Sequence, residues 1–299
     1  MLKVEHVTKY YGDFLAVSDL NFEVKEGEIF GLLGVNGAGK TTTFRMIMGL
    51  LDLTEGKITL NNSKIDYDVT DKIGFLTEER SLLTKLTVIE QAEYYGHLKG
   101  MLSDEIETKL DYYLSKFKVS EYKNKKIKEL SKGNQQKIQF IISILNTPKL
   151  LILDEPFSGL DPINIELFKS EILELKKNGT SIIFSTHRMD HVEYFCEKLA
   201  ILVKGKTVLQ GELSKIKEEY RKKNISVVGD IDSKEIEKLN GVISVEKRNN
   251  EYFIKIEDES YVNDIFKVVS KSKNITKFIV NEPTLNEIFI EKVGVQYEK

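Results

Sequence analysis

The stretch Gly34-Val35-Asn36-Gly37-Ala38-Gly39-Lys40-Thr41 decides the fold of this chain, because it is a complete G-x-x-x-x-G-K-T pattern between a strand-like and a helix-like run. The apolar run Ile29–Leu33 before it predicts a buried strand, and the run Thr42–Met48 after it predicts a helix. Glycines at such a junction let successive backbone N–H groups face phosphate oxygens at the positive end of the helix. The pattern therefore predicts a loop that binds a nucleoside triphosphate.

Two side chains of this loop carry specific chemistry. Lys40 is expected to reach the β- and γ-phosphates, and the Thr41 hydroxyl is expected to hold Mg²⁺. The alternative is a glycine-rich turn that spells the motif by chance, and the strand and helix on its two sides argue against it. The predicted nucleotide contacts are Gly34, Val35, Asn36, Gly37, Ala38, Gly39, Lys40, Thr41 and Thr42.

A second apolar run, Leu150–Leu153, ends in two carboxylates, Asp154 and Glu155. Such a run is typical of a parallel strand buried on both faces, and active groups in these sheets lie at the carboxyl ends of the strands. Asp154 is therefore expected beside Mg²⁺. Glu155, one residue further on, would orient and polarise the water that attacks the γ-phosphorus. The alternative, two acids capping a strand in solvent, is the weaker interpretation beside a phosphate loop.

A third strand-like run, Ser181–Thr186, ends in a histidine, His187. One predicted helix, Ile163–Lys177, separates this run from the Asp154 strand, so the two strands are expected to be neighbours. His187 would then lie at the same edge of the sheet as Asp154. Alone, a histidine at a strand end is more often structural than catalytic, so its predicted role depends on this neighbourhood.

Two shorter segments accompany these strands. Leu130–Lys137 predicts a helix start, in which Ser131 is the N-cap candidate and Gly133 allows close approach of an anion. Phe157–Pro162 is typical of a turn. Each segment taken alone predicts only ordinary local structure.

In this order, the motifs resemble those of the ATP-binding subunit of ABC transporters over residues 1 to about 215. The resemblance implies that Gly34–Thr41 is the Walker A loop and that Leu150–Glu155 is Walker B, with Glu155 as the catalytic glutamate. It also implies that His187 is the switch histidine and that Tyr11 stacks on adenine. It further implies that Leu130–Gln135 is the signature and Ser158–Asp161 the D-loop. The remaining implied nucleotide contacts, in these two segments, are Ser131, Gly133, Gln135 and Asp161.

The chain departs from the family pattern at two places. In the signature, Lys132 and Asn134 replace a glycine and a glutamine, whereas the residues used on the γ-phosphate are kept. In the loop Ile73–Arg80, the position that normally supplies a glutamine to Mg²⁺ and the attacking water matches Glu78, with Glu79 as the neighbouring candidate. A carboxylate there is still expected to ligate the metal.

The expected fold is α/β, with a P-loop ABC ATPase core at residues 1–215 that contains a helical subdomain at about 85–148. Residues 216–299 predict a small α+β accessory domain, because their strands and helices follow a βαββαβ order before a final helix. This order is consistent with a ferredoxin-like domain. The segment Glu282–Phe289 resembles the C-terminal extension of bacterial ABC exporter ATPases. A regulatory or dimer-stabilising role is expected for this domain.

Composition limits the class of protein. The chain has 299 residues, is 41% hydrophobic and 30% charged, and carries a net charge of −3, which does not favour nucleic-acid binding. Its single cysteine, Cys196, excludes an internal disulfide and is expected to be buried in a helix-like stretch, Asp190–Leu199. Apolar runs such as Phe140–Leu145 are too short to span a bilayer, and no signal-peptide core follows Met1. A cytoplasmic protein, peripheral on the inner face of the membrane through a partner, is expected.

These features favour an ATP-hydrolysing subunit of an ABC exporter, with ATP and Mg²⁺ as cofactors. The resemblance implies separate transmembrane permease subunits as partners and a second copy of the chain in an ATP-sandwich dimer. The alternative is a soluble ABC-type ATPase acting on ribosomes or DNA, which the single Walker A loop and the absence of sustained heptads disfavour. A small-molecule phosphotransferase would leave the signature and D-loop segments unexplained.

Overall fold

The sequence between Met1 and Gln210 folds around one ten-stranded sheet in the computed structural model, which describes residues 1–79, 81–220 and 224–297. A second unit, Gly211–Lys299, carries a separate four-stranded sheet. Within the expected accessory domain, residues 221–223 and 298–299 lie outside the described part of the chain. The strands of the first sheet are β1 (Leu2–Tyr11), β2 (Phe14–Val24), β3 (Ile29–Gly34), β4 (Glu55–Leu60), β5 (Ser63–Lys64), β6 (Ile73–Leu76), β7 (Leu150–Asp154), β8 (Ser181–Ser185), β9 (Lys198–Val203) and β10 (Lys206–Glu212).

The strands are ordered β5-β4-β1-β2-β10-β9-β3-β8-β7-β6. From β9 to β6 the pairings are parallel, and at the carboxyl ends of β7 and β8 Asp154 lies opposite Ser185. This pairing confirms the prediction that the Asp154 and His187 strands are neighbours. All five residues of β7 and of β8 are buried, as expected for strands covered on both faces. The ends of these strands bring the sequence motifs to one edge of the sheet.

Seven α-helices lie in the described part of the first unit. Thr87 begins one of them with a capping box, in which its hydroxyl accepts from the Glu90 N–H and the Glu90 carboxylate accepts from the Thr87 N–H. The helices are α1 (Lys40–Ile47), α2 (Tyr67–Thr70), α3 (Val88–Leu98), α4 (Ser103–Lys116), α5 (Lys132–Ile144), α6 (Pro162–Lys177) and α7 (Met189–Phe195).

Three phenylalanines join the helical region to the core. Phe117, just after α4, contacts the ring edges of Phe140 on α5 and Phe168 on α6, and the last two rings stack with centroids 4.5 Å apart. All three side chains are fully buried. Burial of each one stabilises the folded state by roughly 1.5–3 kcal/mol. Lys116 adds an ion pair with the buried Glu171 of α6. The helix that carries the signature residues is therefore held firmly in the first unit.

The second unit follows the predicted βαββαβ order. Its sheet is ordered β12-β13-β11-β14 with antiparallel pairing throughout, as in a ferredoxin-like fold. Asn249 adopts a left-handed φ of 55° in the hairpin turn, a conformation that asparagine tolerates. The elements are α8 (Leu213–Glu219), β11 (Asn224–Asp230), α9 (Ser233–Glu237), β12 (Val242–Arg248), β13 (Glu251–Ile256), α10 (Val262–Val269), β14 (Lys273–Asn281) and α11 (Leu285–Tyr297).

Candidate active site

The phosphate loop connects β3 to α1 and passes close to neighbouring backbone. Gly39 has a φ of 105°, and a Cβ at this residue would lie 2.7 Å from the Ala16 carbonyl oxygen. A Cβ at Gly34 would lie 2.5 Å from the Leu202 carbonyl oxygen. Only glycine fits at these two positions, because any side chain would clash with the neighbouring backbone. The tight turn that the glycines permit leaves the backbone N–H groups of the loop available to an anion.

Lys40 is the cation at the centre of this loop. Its ammonium donates to the carbonyl oxygens of Gly34, at 2.7 Å, and Val35, at 3.3 Å. Burial lowers the pKa of Lys40, and the negative charges of Asp154, Glu155 and Glu78 oppose this shift. The three carboxylates, predicted from two separate motifs, are therefore near enough to act on one ammonium group.

A cavity of about 400 Å³ lies above the loop. Tyr11 and Phe14 form its aromatic part, and Glu78 and Asp154 form its acidic part. Tyr11 is 46% exposed and Phe14 is 67% exposed, and the Lys9 ammonium lies 5.4 Å from the centroid of the Tyr11 ring. The loop residues in the lining are Asn36, Gly37, Ala38, Gly39, Lys40, Thr41 and Thr42.

The structure distinguishes the two candidates for the metal-side loop. Glu78 and Glu79 both line an adjacent hollow of about 310 Å³ together with Thr41 and Asp154. Glu78 also lines the cavity above the phosphate loop, and Glu79 is absent from the described lining of that cavity. Glu78 is therefore the one of these two residues that lines both hollows.

Asp154 ends β7 as a buried carboxylate. Burial raises its pKa to about 6, and the nearby positive charge of Lys40 acts in the opposite direction. Among the described residues, no cluster of three or more His, Cys, Asp or Glu could hold a metal by itself. The carboxylates of Glu78 and Asp154 and the Thr41 hydroxyl supply a partial set of hard oxygen ligands. Such a set fits Mg²⁺, which keeps several waters and takes further oxygens from substrate phosphates.

Glu155 has an unusual backbone conformation, and its N–H and both carboxylate oxygens make hydrogen-bond contacts. Its φ is 49°, which is unusual for a residue with a side chain, and its N–H donates to the Ser185 carbonyl oxygen at 2.9 Å. One carboxylate oxygen accepts from the Thr186 hydroxyl at 2.9 Å. The other accepts from the His187 N–H at 2.7 Å and lies 2.9 Å from His187 Nδ1. Backbone strain of this kind is concentrated at functional sites.

Thr186 is a partner of Glu155 that the sequence pattern did not reveal. The available signal for this contact was the position of Thr186, a hydroxyl residue immediately before His187 at the end of a predicted strand. The pattern alone could not show which neighbouring carboxylate the hydroxyl reaches, because that contact joins residues 31 positions apart.

The signature and D-loop residues lie away from this cavity. Ser131 caps α5 by accepting from the Asn134 N–H, and Asp161 caps α6 by accepting from the Asn164 N–H. The side chain of Gln135 donates to the carbonyl oxygens of Ile127 and Leu130, both at 3.1 Å, and so stabilises the helix start. None of the described residues lining the phosphate-loop cavity is Ser131, Gly133, Gln135 or Asp161.

A phosphate loop follows β3, two carboxylates lie at the end of β7, and a histidine after β8 contacts the second of them. These features define the class of this protein as a P-loop ATPase. Comparison with known proteins gives the family. Residues 17–158 match the family described as ABC transporter, and residues 211–293 match the C-terminal domain of ATP-binding proteins of the DrrA1-3 type.

Two protein relatives and one solved structure illustrate the similarity. The uncharacterized ABC transporter ATP-binding protein YhaQ of Bacillus subtilis strain 168 is 49% identical over 298 residues, covering 100% of both chains. The Nod factor export ATP-binding protein I of Rhizobium johnstonii is 36% identical over 216 residues, covering 71% of this chain and 70% of its own. A dimeric post-hydrolysis ATP-binding cassette with bound ADP and Pi is 27% identical with a TM-score of 0.65, covering 71% and 99%.

The chain belongs to the ATP-binding subunits of ABC transporters, and it is an ATPase.

Proposed function

We propose that this chain hydrolyses ATP with Mg²⁺ to power an exporter, and that Glu155 polarises the attacking water. The observation that carries this proposal is the position of Glu155 beside Asp154, with its two carboxylate oxygens held by Thr186 and His187. A carboxylate fixed in this way costs little reorganisation when it accepts a proton or orients a water.

Each side chain of the site has a separate task. Lys40 binds the β- and γ-phosphates, and the ring of Tyr11 stacks on the adenine. Thr41, Glu78 and Asp154 would hold Mg²⁺, which supplies charge stabilisation for the leaving and transferred phosphates. His187 keeps the Glu155 carboxylate in one orientation.

A second copy of the chain completes the site in this proposal. Ser131 is exposed and Gly133, in the first turn of α5, is half-buried, and both lie outside the cavity of their own chain. The start of α5 presents N–H groups and the positive end of a helix, which suits a phosphate held by another subunit. The Asp161 turn before α6 would lie at the same interface. The dimeric state of the ADP-bound solved relative supports this arrangement.

The membrane partner would be a separate permease. Within the described residues, no helix is long and apolar enough to cross a membrane. The first unit contains an apolar groove of about 440 Å³ between the sheet and the helical region, lined by residues such as Met48, Leu82, Met101 and Ile142. We propose that a short amphipathic segment of the permease occupies this groove. Docking of that kind would hold the chain at the inner face of the membrane. The export direction is supported by the DrrA-type C-terminal match and by the Nod factor export relative.

Co-expression tests this proposal directly. The chain would be produced with candidate multi-span membrane proteins from its own genome, and any purified complex would be assayed for ATP turnover and substrate efflux in vesicles. We expect a stable complex whose ATPase activity depends on Mg²⁺ and is lost in Glu155→Gln. Copurification with ribosomes and no binding to any of these membrane proteins would contradict the proposal.

A further inference from the structure

Gln139 on α5 is a buried amide that contacts the loop carrying Glu78. Its side-chain nitrogen donates to the Thr77 hydroxyl at 2.9 Å and to the Thr77 carbonyl oxygen at 3.2 Å. The same nitrogen lies 3.4 Å from the Glu79 carbonyl oxygen. The Gln139 residue is 3% exposed, and its hydrogen bonds to the loop are partly buried.

These contacts hold the backbone on both sides of Glu78. The Thr77 hydroxyl, which accepts from Gln139, in turn donates to the Glu79 carbonyl oxygen. One amide therefore fixes the residue before Glu78 and the residue after it. Glu78 itself makes no contact with Gln139 among the hydrogen bonds of the described residues, which leaves its carboxylate available to the cavity.

We propose that Gln139 is a positioning residue that sets the place of the Glu78 carboxylate at the metal side of the site. This inference rests on the proposed function, because it takes Glu78 to be a ligand of Mg²⁺. A ligand on a loop is effective only when the loop backbone is held in one conformation, and here α5 supplies that support.

The unsatisfied half of the amide argues against a purely space-filling role. Within the described part of the chain, the Gln139 carbonyl oxygen is buried and has no hydrogen-bond partner. A buried acceptor without a partner costs free energy, and a methionine of similar length would fill the same space without that cost. The donor side of the amide is therefore the reason to have glutamine at this position.

The test compares two buried amides in the full-length protein. Gln139→Met removes the contacts with Thr77 and Glu79. Gln91→Met is the control, because the Gln91 side chain on α3 is equally buried and accepts from the Leu83 N–H at 2.9 Å instead. Mn²⁺ affinity would be measured by electron paramagnetic resonance with a non-hydrolysable ATP analogue bound. Nucleotide affinity would be measured separately in EDTA.

We expect Gln139→Met to weaken Mn²⁺ binding about 10-fold, in the range for loss of a group that supports a metal ligand. Amide hydrogen exchange in the Thr77–Glu79 loop should become faster, and metal-free nucleotide affinity should be unchanged. Gln91→Met should keep the wild-type Mn²⁺ affinity. If Gln139→Met does not fold, Thr77→Val decides the question, because it removes the hydroxyl that accepts from Gln139 and should weaken Mn²⁺ binding in the same direction.

A third variant separates failure of this inference from failure of the proposed function. If Glu78→Ala weakens Mn²⁺ binding and Gln139→Met leaves it unchanged, Gln139 has only a structural role and the inference is overturned. If Glu78→Ala also leaves Mn²⁺ affinity unchanged, Glu78 is not a metal ligand, and the metal assignment of the proposed function fails together with the inference.

Discussion

The carboxylate of Glu155 receives two contacts from His187 through a single oxygen, at 2.7 Å from the backbone nitrogen and 2.9 Å from Nδ1. An ionised carboxylate can only accept hydrogen bonds, so the 2.9 Å contact requires the tautomer with its proton on Nδ1. In the neutral imidazole this leaves Nε2 without a proton, as an acceptor on the exposed side of the ring. The glutamate thus determines the tautomer of the histidine.

This relationship predicts the tautomer of His187 in the nucleotide-free protein. Nitrogen-15 NMR of the neutral imidazole should show the proton on Nδ1. In Glu155→Ala the acceptor is removed, and the proton should move to Nε2 in most molecules. A wild-type spectrum with the proton on Nε2 would show that the contact with Glu155 does not persist in solution.

Lys40→Ala should lose nucleotide affinity. The ammonium group would otherwise make charge-assisted hydrogen bonds to phosphate, worth about 1.5–3 kcal/mol, so the dissociation constant for ATP should rise roughly 10- to 100-fold. Lys57→Ala is a suitable control, because Lys57 is an exposed cation on β4 of the same unit. Equal ATP affinity of the two variants in a calorimetric titration would argue against the phosphate-loop assignment.

Tyr11→Ala should weaken ATP and GTP binding to a similar extent. Stacking of a base on an aromatic ring is worth about 1–3 kcal/mol and discriminates poorly between bases. Phe14→Ala is the matched comparison, because Phe14 lines the same cavity. If Phe14→Ala weakens binding and Tyr11→Ala does not, the base stacks on Phe14 instead.

Cys196 should be unreactive in the folded protein. Its side chain is buried, and burial raises the pKa of the thiol far above its usual value, so the thiolate population at neutral pH is very small. A maleimide or disulfide reagent should label the native chain slowly and the urea-unfolded chain at once. Fast labelling under native conditions would indicate local opening near α7.

The strand ends of the site could be predicted from the sequence because local patterns determine them. Short apolar runs finish in Asp154, Glu155 and His187, and the parallel sheet brings these ends to one edge. The order of strands and helices in the second unit could also be predicted from local patterns. The accessory strands pair as the βαββαβ pattern predicts.

Other features depend on contacts between distant residues and could not be predicted. The helix expected over Asp190–Leu199 ends at Phe195, because Lys198 already pairs with Phe30 as part of β9. Tertiary pairing here overrides a helix-like pattern. The contact between Gln139 and Thr77 spans 62 residues, and no local signal marks it.

The signature helix offers a variant that separates dimer closure from nucleotide binding. A Cβ at Gly133 would meet only the Gly159 carbonyl oxygen at 3.4 Å and Leu160 at 3.9 Å, so a small side chain fits within its own chain. Gly133→Asp adds a carboxylate that would face the γ-phosphate held by the other copy. Gly133→Ala is the control for the added bulk without the charge.

The most direct test of the account is the molar mass of Glu155→Gln in ATP and Mg²⁺, measured by analytical ultracentrifugation together with its rate of hydrolysis. The account predicts a dimer that retains two ATP molecules and turns over on the order of 10²–10⁴ times more slowly than wild type. Adding Gly133→Asp should return this protein to monomers that still bind ATP. Near-normal hydrolysis by Glu155→Gln, or an undiminished dimer in the double variant, would contradict the proposed two-copy ATPase site.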